Sequence, residues 1–358
     1  KLEEPLLQTE MARRQQGVGR GGRMAIETDM VRVTSGVRFG ETLGSPLTLV
    51  VENRDHANWL DKMAPFGAPA GEAVTAVRPG HADLTGVLKY DRQDARDILE
   101  RASARETAAR VAAGGVCTQL LAALGIQIRS HVVNLGGVEA PLQGMAAFQA
   151  WHQPDPQTAC LDEAASLAMK QRVAEAQNTG DTLGGVIEVF ADGLWAGLGT
   201  YAQGDRRLDA RLAAAMVSIP AIKGVEFGEG FQYANLPGSQ AHDEIFHADP
   251  QGFFRRTNHA GGLEGGMSNG EVLWLRLVMK PIPTLMQPLA TVDLRTKAAV
   301  DACKERSDVC AVPAAAVVAE AMLAITLAQV ISEQFGGDCF QDLKQNIAAY
   351  KQRLEQRA

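Results

Sequence analysis

The stretch Arg13-Arg14-Gln15-Gln16-Gly17-Val18-Gly19-Arg20-Gly21-Gly22-Arg23 decides between two architectures. Gly17, Gly19 and Gly22 satisfy G-x-G-x-x-G, the phosphate-binding turn of doubly wound sheets, but that turn works only when it follows a strand and opens a helix. Here the order is reversed: Lys1 to Gly17 reads as a helix, Met24 to Val33 reads as a strand, and no acidic residue fits a ribose-binding position. A pyridine-nucleotide oxidoreductase of that fold would need a strand before Gly17 and a helix after Gly22. The glycines instead give a flexible backbone that carries four arginines, Arg13, Arg14, Arg20 and Arg23.

The rest of the chain supports this. Helical signals are few and long. Asp91 to Ala123 has Ile98, Ala102, Arg105 and Ala109 at three-to-four spacing, with an interruption expected at Gly114-Gly115. Pro313 to Phe335 begins with a proline suited to a first turn and stops at Gly336-Gly337. Thr158 to Asn178, Arg207 to Ser218 and Cys339 to Gln356 complete the helices. Strands are expected at Thr48 to Glu52, Ile126 to Val133, Val186 to Phe190, Leu194 to Gly199 and Glu271 to Lys280. These do not alternate in a βαβ rhythm, so the fold class is α+β, with antiparallel sheets and long helices. No linker or repeat divides residues 1–358, which are expected to form a single large domain with Ala64 to Thr75 as its main surface loop.

With 35 Lys+Arg against 42 Asp+Glu the net charge is −7, which repels polyanions on average and argues against nucleic-acid binding. The most apolar run, Val309 to Ile331, is broken by Pro313 and Glu320 and falls short of the roughly 18 apolar residues of a membrane span, so a soluble protein is expected. The 5 cysteines are odd in number, form no C-x-x-C pair and follow no secretory leader, which suits a reducing cytoplasm. The chain opens on Lys1 inside a helical pattern, and residues upstream are expected to be missing.

Five patches have side chains for chemistry. The arginines around Gly17–Gly22 suit bidentate binding of phosphate or carboxylate, or form a solvated basic loop. In Arg78-Pro79-Gly80-His81-Ala82-Asp83 a tight turn holds a histidine between an arginine and an aspartate, either as a general acid or as a structural loop residue. Arg101 and Arg105 are expected on one helix face, repelling unless an anion or Glu106 sits near. Asn258 to Gly270 followed by Lys280-Pro281-Ile282-Pro283-Thr284 lets backbone approach a flat or phosphorylated ligand. Arg306-Ser307-Asp308 precedes a helix whose first-turn amides favour an anion. His242 and His247 are spaced off one helical face with no cysteine cluster, so no metal site is expected. No G-x-S-x-G or Walker motif occurs, and the sites indicate a polyanionic small molecule with a phosphorylated cofactor.

RRQQGVGRGGRM, SGVRFGETLGSPL, RPGHADLTGVLKY, ERASARETAARVAAG, GDTLGG, RLDARLAAAM, KGVEFGEGF, TNHAGGLEGGMSNG, MKPIPT and RSDVCAVPAA, in this order, resemble the chorismate synthase family over nearly the whole chain, from about Arg13 to Gln345. The resemblance implies the family's α+β fold and a lyase of the shikimate pathway, leading to aromatic amino acids. The reaction is 1,4-anti elimination of phosphate from 5-enolpyruvylshikimate 3-phosphate, giving chorismate. It also implies reduced FMN (FMNH2) as cofactor, NADPH as a reductant, a homotetramer and a cytoplasmic location.

Carried over position by position, the resemblance makes His81 and Asp308 catalytic. Arg14, Arg20 and Arg78 bind substrate or NADPH. Arg101, Ala102, Ser103, Pro220, Ala221, Gly265, Lys280, Pro281, Ile282, Pro283, Thr284 and Arg306 contact FMN. Ala102 stands where serine is common, and Phe39 where histidine is common. The family's Gly-Glu-Ser-His-Gly segment, with another active-site histidine, is not among these residues; the chain begins roughly thirty residues after the family's usual start, which is read as clipping. The alternative in another class is a non-catalytic homologue that binds FMN or anions without turnover.

Overall fold

The computed structural model describes residues 1–21, 28–68, 70–250, 252–304 and 308–357. Its centre is a long helix on a sheet. The sheet has five strands, β3 (Gln127–Leu135), β4 (Val138–Glu139), β5 (Gly185–Asp192), β6 (Ile222–Phe227) and β7 (Leu273–Met279), following β1 (Val31–Ser35) and β2 (Thr48–Val51), which pair apart from it. Its order is β4-β3-β5-β7-β6 with every neighbour antiparallel, the α+β arrangement expected from the missing βαβ rhythm.

The helices of eight residues or more among the described residues are α1 (Glu4–Gln15), α2 (Asp83–Tyr90), α3 (Thr107–Ala123), α4 (Glu163–Thr179), α5 (Leu208–Val217), α6 (Val312–Phe335) and α7 (Phe340–Glu355). α6 packs against α3, α1 and α5 and across β3 and β5. Among the described residues it is the one helix long and apolar enough to cross a membrane, and 83% of its most apolar window is buried inside the molecule. Glu320 interrupts that apolar face without being left unpaired. It accepts two hydrogen bonds from Arg13, at 2.7 and 2.9 Å, and one from the Ser130 hydroxyl at 2.6 Å. Burial opposes the Arg13 charge, but Glu320 and Glu10 together outweigh it and push the Arg13 pKa up.

Four expectations need correction. α3 runs unbroken through Gly114-Gly115, because these glycines serve packing: a Cβ on Gly114 would lie 2.3 Å from the Cβ of Ala321 on α6. The break falls earlier, where Arg96–Leu99 ends and Ser103 caps a short turn, so Arg101 and Arg105 share no helix face. α4 starts at Glu163, capped by Asp162 accepting from the Ala165 amide, because Ala159 at φ +56° takes the backbone before it out of right-handed helical conformation. Leu194 to Gly199 is not a strand; Leu194, Trp195 and Leu198 enter the core from an irregular segment, and β6 takes a place in the sheet that no expected strand filled.

Candidate active site

The ends of these elements surround a cleft of about 440 Å³. α1 contributes first. Leu7, Met11 and Arg14 recur on its buried face, so the periodicity that seats α1 on the core also points Arg14 inward. Beyond it the glycine-rich turn presses onto α4: a Cβ on Gly19 would approach Val173 to 2.8 Å, and Gly19 has φ +78°. Close packing, not nucleotide binding, requires that glycine, and the element before it is a helix. The turn sends Arg20 and Gly21 into the cleft. Gly22, Arg23 and Met24 lie outside the described residues.

Each cleft arginine is set by an aspartate. Arg14 Nη1 meets Asp29 Oδ2 at 2.8 Å, and Arg105 Nη1 donates to the other oxygen of Asp29, whose side chain is fully buried. Burial lowers the Arg14 pKa to about 10; Asp29 acts against this, while Arg20 and Arg105 add to it. Arg20 Nη1 donates to Asp308 at 2.7 Å, and the Gly21 amide donates to the same carboxylate at 2.6 Å. Arg78 donates through Nε to Asp83 at 2.8 Å and through Nη1 to the Thr284 hydroxyl at 3.1 Å. Burial alone would raise the Asp83 pKa, but hydrogen bonds from His81 and Arg78 hold it well below the usual carboxylate range. This is a pre-oriented cationic site suited to a polyanion.

Other surfaces of the cleft are apolar. Ile219, Pro220 and Ala221 enter after α5, Met279 and Pro283 at the end of β7, and Ala311, Ala314, Ala315 and Val318 with the first turns of α6. The N-terminal end of α6, where its dipole is positive, thus lies at the same cleft.

The cleft brings together Arg14, Arg20, Arg78, His81, Ala102, Ser103, Pro220, Ala221, Lys280, Ile282, Pro283, Thr284 and Asp308. Three expected residues lie elsewhere and one falls outside the described residues. Arg101 lines a shallower depression with Tyr90 and Arg92, so its triplet is split and only Ala102 reaches both. Pro281 is exposed beside the cleft. Gly265 is at an exposed hairpin turn; the neighbouring Gly266 carbonyl accepts from Leu208 at the start of α5, whereas Pro220 follows its end, about 15 Å away by helical rise. Arg306 and Ser307 lie outside the described residues. Arg105, expected beside Arg101 near an anion, reaches the cleft without it, whereas Asp29 and Trp59 are parts of the site that no sequence pattern singles out; Asp29 gives no local signal, since its partners are 15 and 76 residues away.

A concave pocket, mostly apolar and with a few convergent charges, is the form a small-molecule enzyme takes, here one that handles polyanions. A family model described as chorismate synthase matches residues 1–331. Chorismate synthase from Syntrophotalea carbinolica is 55% identical over 99% of this chain and 92% of its own length, and that from Moorella thermoacetica 57% identical over 98% and 91%. A crystal structure of chorismate synthase superimposes with a TM-score of 0.78 at 39% identity, covering 99% of this chain and 91% of the other. The chain belongs to the chorismate synthase family, whose members are lyases of aromatic amino acid biosynthesis. The reading as a non-catalytic homologue is not favoured.

The family implies a flavin cofactor, and the residues present fit one. The small and apolar side chains of Pro220, Ala221, Pro283 and Ala315 admit a flat ring without stranding a polar group, and the arginines suit its phosphate.

Proposed function

We propose that the chain catalyses 1,4-anti elimination of phosphate from 5-enolpyruvylshikimate 3-phosphate, using reduced FMN, to give chorismate. The observation that carries this reading is the convergence on one cleft of Arg14, Arg20, Arg78, His81, Lys280 and Asp308 from stretches far apart in the chain. In this reading Arg14, Arg20 and Arg78 bind the substrate's phosphate and carboxylates, and their fixed charges stabilise the negative charge that grows on the departing phosphate. Ala102, Ser103, Pro220, Ala221, Lys280, Ile282, Pro283 and Thr284 hold FMN, with Arg306 assigned to the same role. When bound, reduced FMN supplies electron density to the allylic system as the C–O bond breaks and regains it as the C6 hydrogen leaves.

His81, in the cleft wall, moves a proton to the leaving phosphate or to the cofactor. Asp308, held by Arg20 and the Gly21 amide, accepts one on the other leg of the reaction. The apolar walls keep water from the reacting atoms. Arg14 and Arg20 suit NADPH as well as substrate, both being polyanions, so NADPH is assigned as a reductant at the same basic cluster. A cytoplasmic homotetramer, each chain forming a single domain over residues 1–358, completes the proposal.

The test is anaerobic turnover of 5-enolpyruvylshikimate 3-phosphate with dithionite-reduced FMN, following phosphate and chorismate. Release of both supports the lyase. Tight FMN binding with neither product, in this chain and in one extended at its N-terminus, would overturn it.

A further inference from the structure

We propose that Asp83 is a positioning residue for this reaction: it keeps a proton on Nδ1 of His81, so that Nε2 is the ring nitrogen left to exchange a proton in the cleft. This rests on the proposed role of His81.

Asp83 does not line the cleft. It is the first residue of α2, its side chain is fully buried, and its carboxylate has four donors. Arg78 contributes Nε at 2.8 Å, Nη2 at 3.1 Å and its own backbone amide at 3.1 Å. The fourth is Nδ1 of His81, on Oδ1. A carboxylate supplied with so many donors, two of them from a guanidinium, stays ionised although buried. An ionised carboxylate can only accept, so the ring atom facing it must be an N–H. That assigns the Nδ1 proton.

The ring's orientation is fixed by its surroundings. The Arg78 Nη2 lies 3.1 Å from Nδ1 and 3.4 Å from Nε2, so the guanidinium sits against the ring and limits its rotation. Gly80, at φ +76°, makes the turn that folds His81 back over Arg78, and Lys280 Nζ donates to the Gly80 carbonyl. With Nδ1 committed to Asp83, Nε2 is the ring nitrogen left to exchange a proton, with Arg78 Nη2 3.4 Å from it and the ring in the cleft wall. A buried acceptor that sets the tautomer of a proton-transferring histidine matters chiefly for kcat, because the wrong tautomer leaves binding intact and the transfer impossible.

The assignment can be read without turnover. In protein labelled with 15N-histidine, with the His81 signal identified by its loss in His81→Ala, we expect Nδ1 to be protonated in the wild type and the Nδ1-bound proton to lose its downfield position in Asp83→Asn. Kinetically, Asp83→Asn should lower kcat by about 100-fold or more while FMN affinity stays within about threefold; a change in KM reports on Arg78, which the same carboxylate holds. In the His81→Ala background the same substitution should lower kcat no further, since an effect transmitted through His81 vanishes when His81 is gone.

A wild-type ring protonated at Nε2 alone would overturn the proposal, even if Asp83→Asn failed to fold. So would equal losses in the two backgrounds, which would place the effect on Arg78. If the wild-type chain makes no chorismate with reduced FMN, the lyase reading fails, whereas the spectrum still decides the Asp83–His81 pairing.

Discussion

His81 and His131 have nearly the same partners and opposite surroundings. Each ring is bonded to a buried carboxylate that also pairs with an arginine: His81 to Asp83 and Arg78, His131 to Glu188 and Arg276. His81 stands on a turn in a cleft wall. His131 sits in the middle of β3, fully buried, with Trp151 edge-on at 5.9 Å and Phe190 stacked at 5.8 Å. Its Nε2 donates to Glu188 at 2.8 Å, and its Nδ1 meets no hydrogen-bond partner among the described residues. His131, Glu188, Arg276 and Glu226 are register neighbours on β3, β5, β7 and β6, a charge ladder across the sheet. A histidine, a carboxylate and an arginine are therefore not evidence of catalysis. What separates the two is the open space that a ligand needs beside the first ring and that the second lacks.

One substitution made at both sites tests this most strongly. His81→Ala should reduce turnover by about 100-fold to 10,000-fold, the range for losing a general acid–base group, with FMN affinity and thermal midpoint close to wild type. His131→Ala should cost about 3 kcal/mol of stability, read by denaturant unfolding, with kcat per folded molecule within about twofold. Comparable unfolding in both would erase the distinction, and so would an unstable His81→Ala with normal turnover.

Glu188→Gln sharpens the structural side. Glu188 accepts from His131, from Arg276 at 2.7 Å and from the Gly144 amide, so losing its charge should cost about 3 kcal/mol. Burial alone would raise its pKa, but His131 and Arg276 lower it further than burial raises it. A carboxyl depressed in the folded state stabilises fully above its unfolded value, about 4.3, and loses that contribution as pH falls through the lower folded value. The gap between wild type and Glu188→Gln should hold near neutrality and narrow under acid. A gap that is constant down to strongly acidic pH would mean that the charge contributes nothing.

The same contrast explains what was legible in the sequence. Arg78, His81 and Asp83 fall within six residues, because a turn can assemble a site locally, and the stretch stands out on reading. His131, Glu188 and Arg276 become neighbours only through strand register, which no local pattern encodes. Asp29 lies outside any strand, and its bonds to Arg14 on α1 and Arg105 on the turn before α3 form only by tertiary packing, which is equally absent from any local pattern. The fold class could be read from the reversed order around Gly17, and α6 from its proline and terminal glycines, since local propensity and tertiary packing agree there.

At Gly114-Gly115 they conflict: propensity argues for a break, while close packing with Ala321 demands the glycine inside a helix. Gly114→Ala, which improves propensity, should therefore destabilise by about 1 to 3 kcal/mol through overpacking, with catalysis per folded molecule unchanged. A stabilised variant in thermal melts would show that α3 and α6 can move apart freely.

The smallest expected effect lies at the edge of the cleft. Lys280 Nζ donates to the Gly80 carbonyl beside His81, and burial, with Lys223 adding to it, lowers the Lys280 pKa. A lysine made less basic by its surroundings regains stabilisation when a phosphorylated ligand arrives, so the charge should act on binding more than on the chemical step. Lys280→Ala should weaken FMN about tenfold, roughly 1.4 kcal/mol, by fluorescence titration, and lower kcat only modestly. Wild-type affinity should also fall as pH rises through the depressed lysine value, where the cation is lost, and the variant should lack that limb. The two loop neighbours would then separate cleanly, His81 in kcat and Lys280 in cofactor affinity. If Lys280→Ala instead lowers kcat as far as His81→Ala with FMN affinity intact, Lys280 serves to hold the catalytic turn, and the division between binding and chemistry within this cleft must be redrawn.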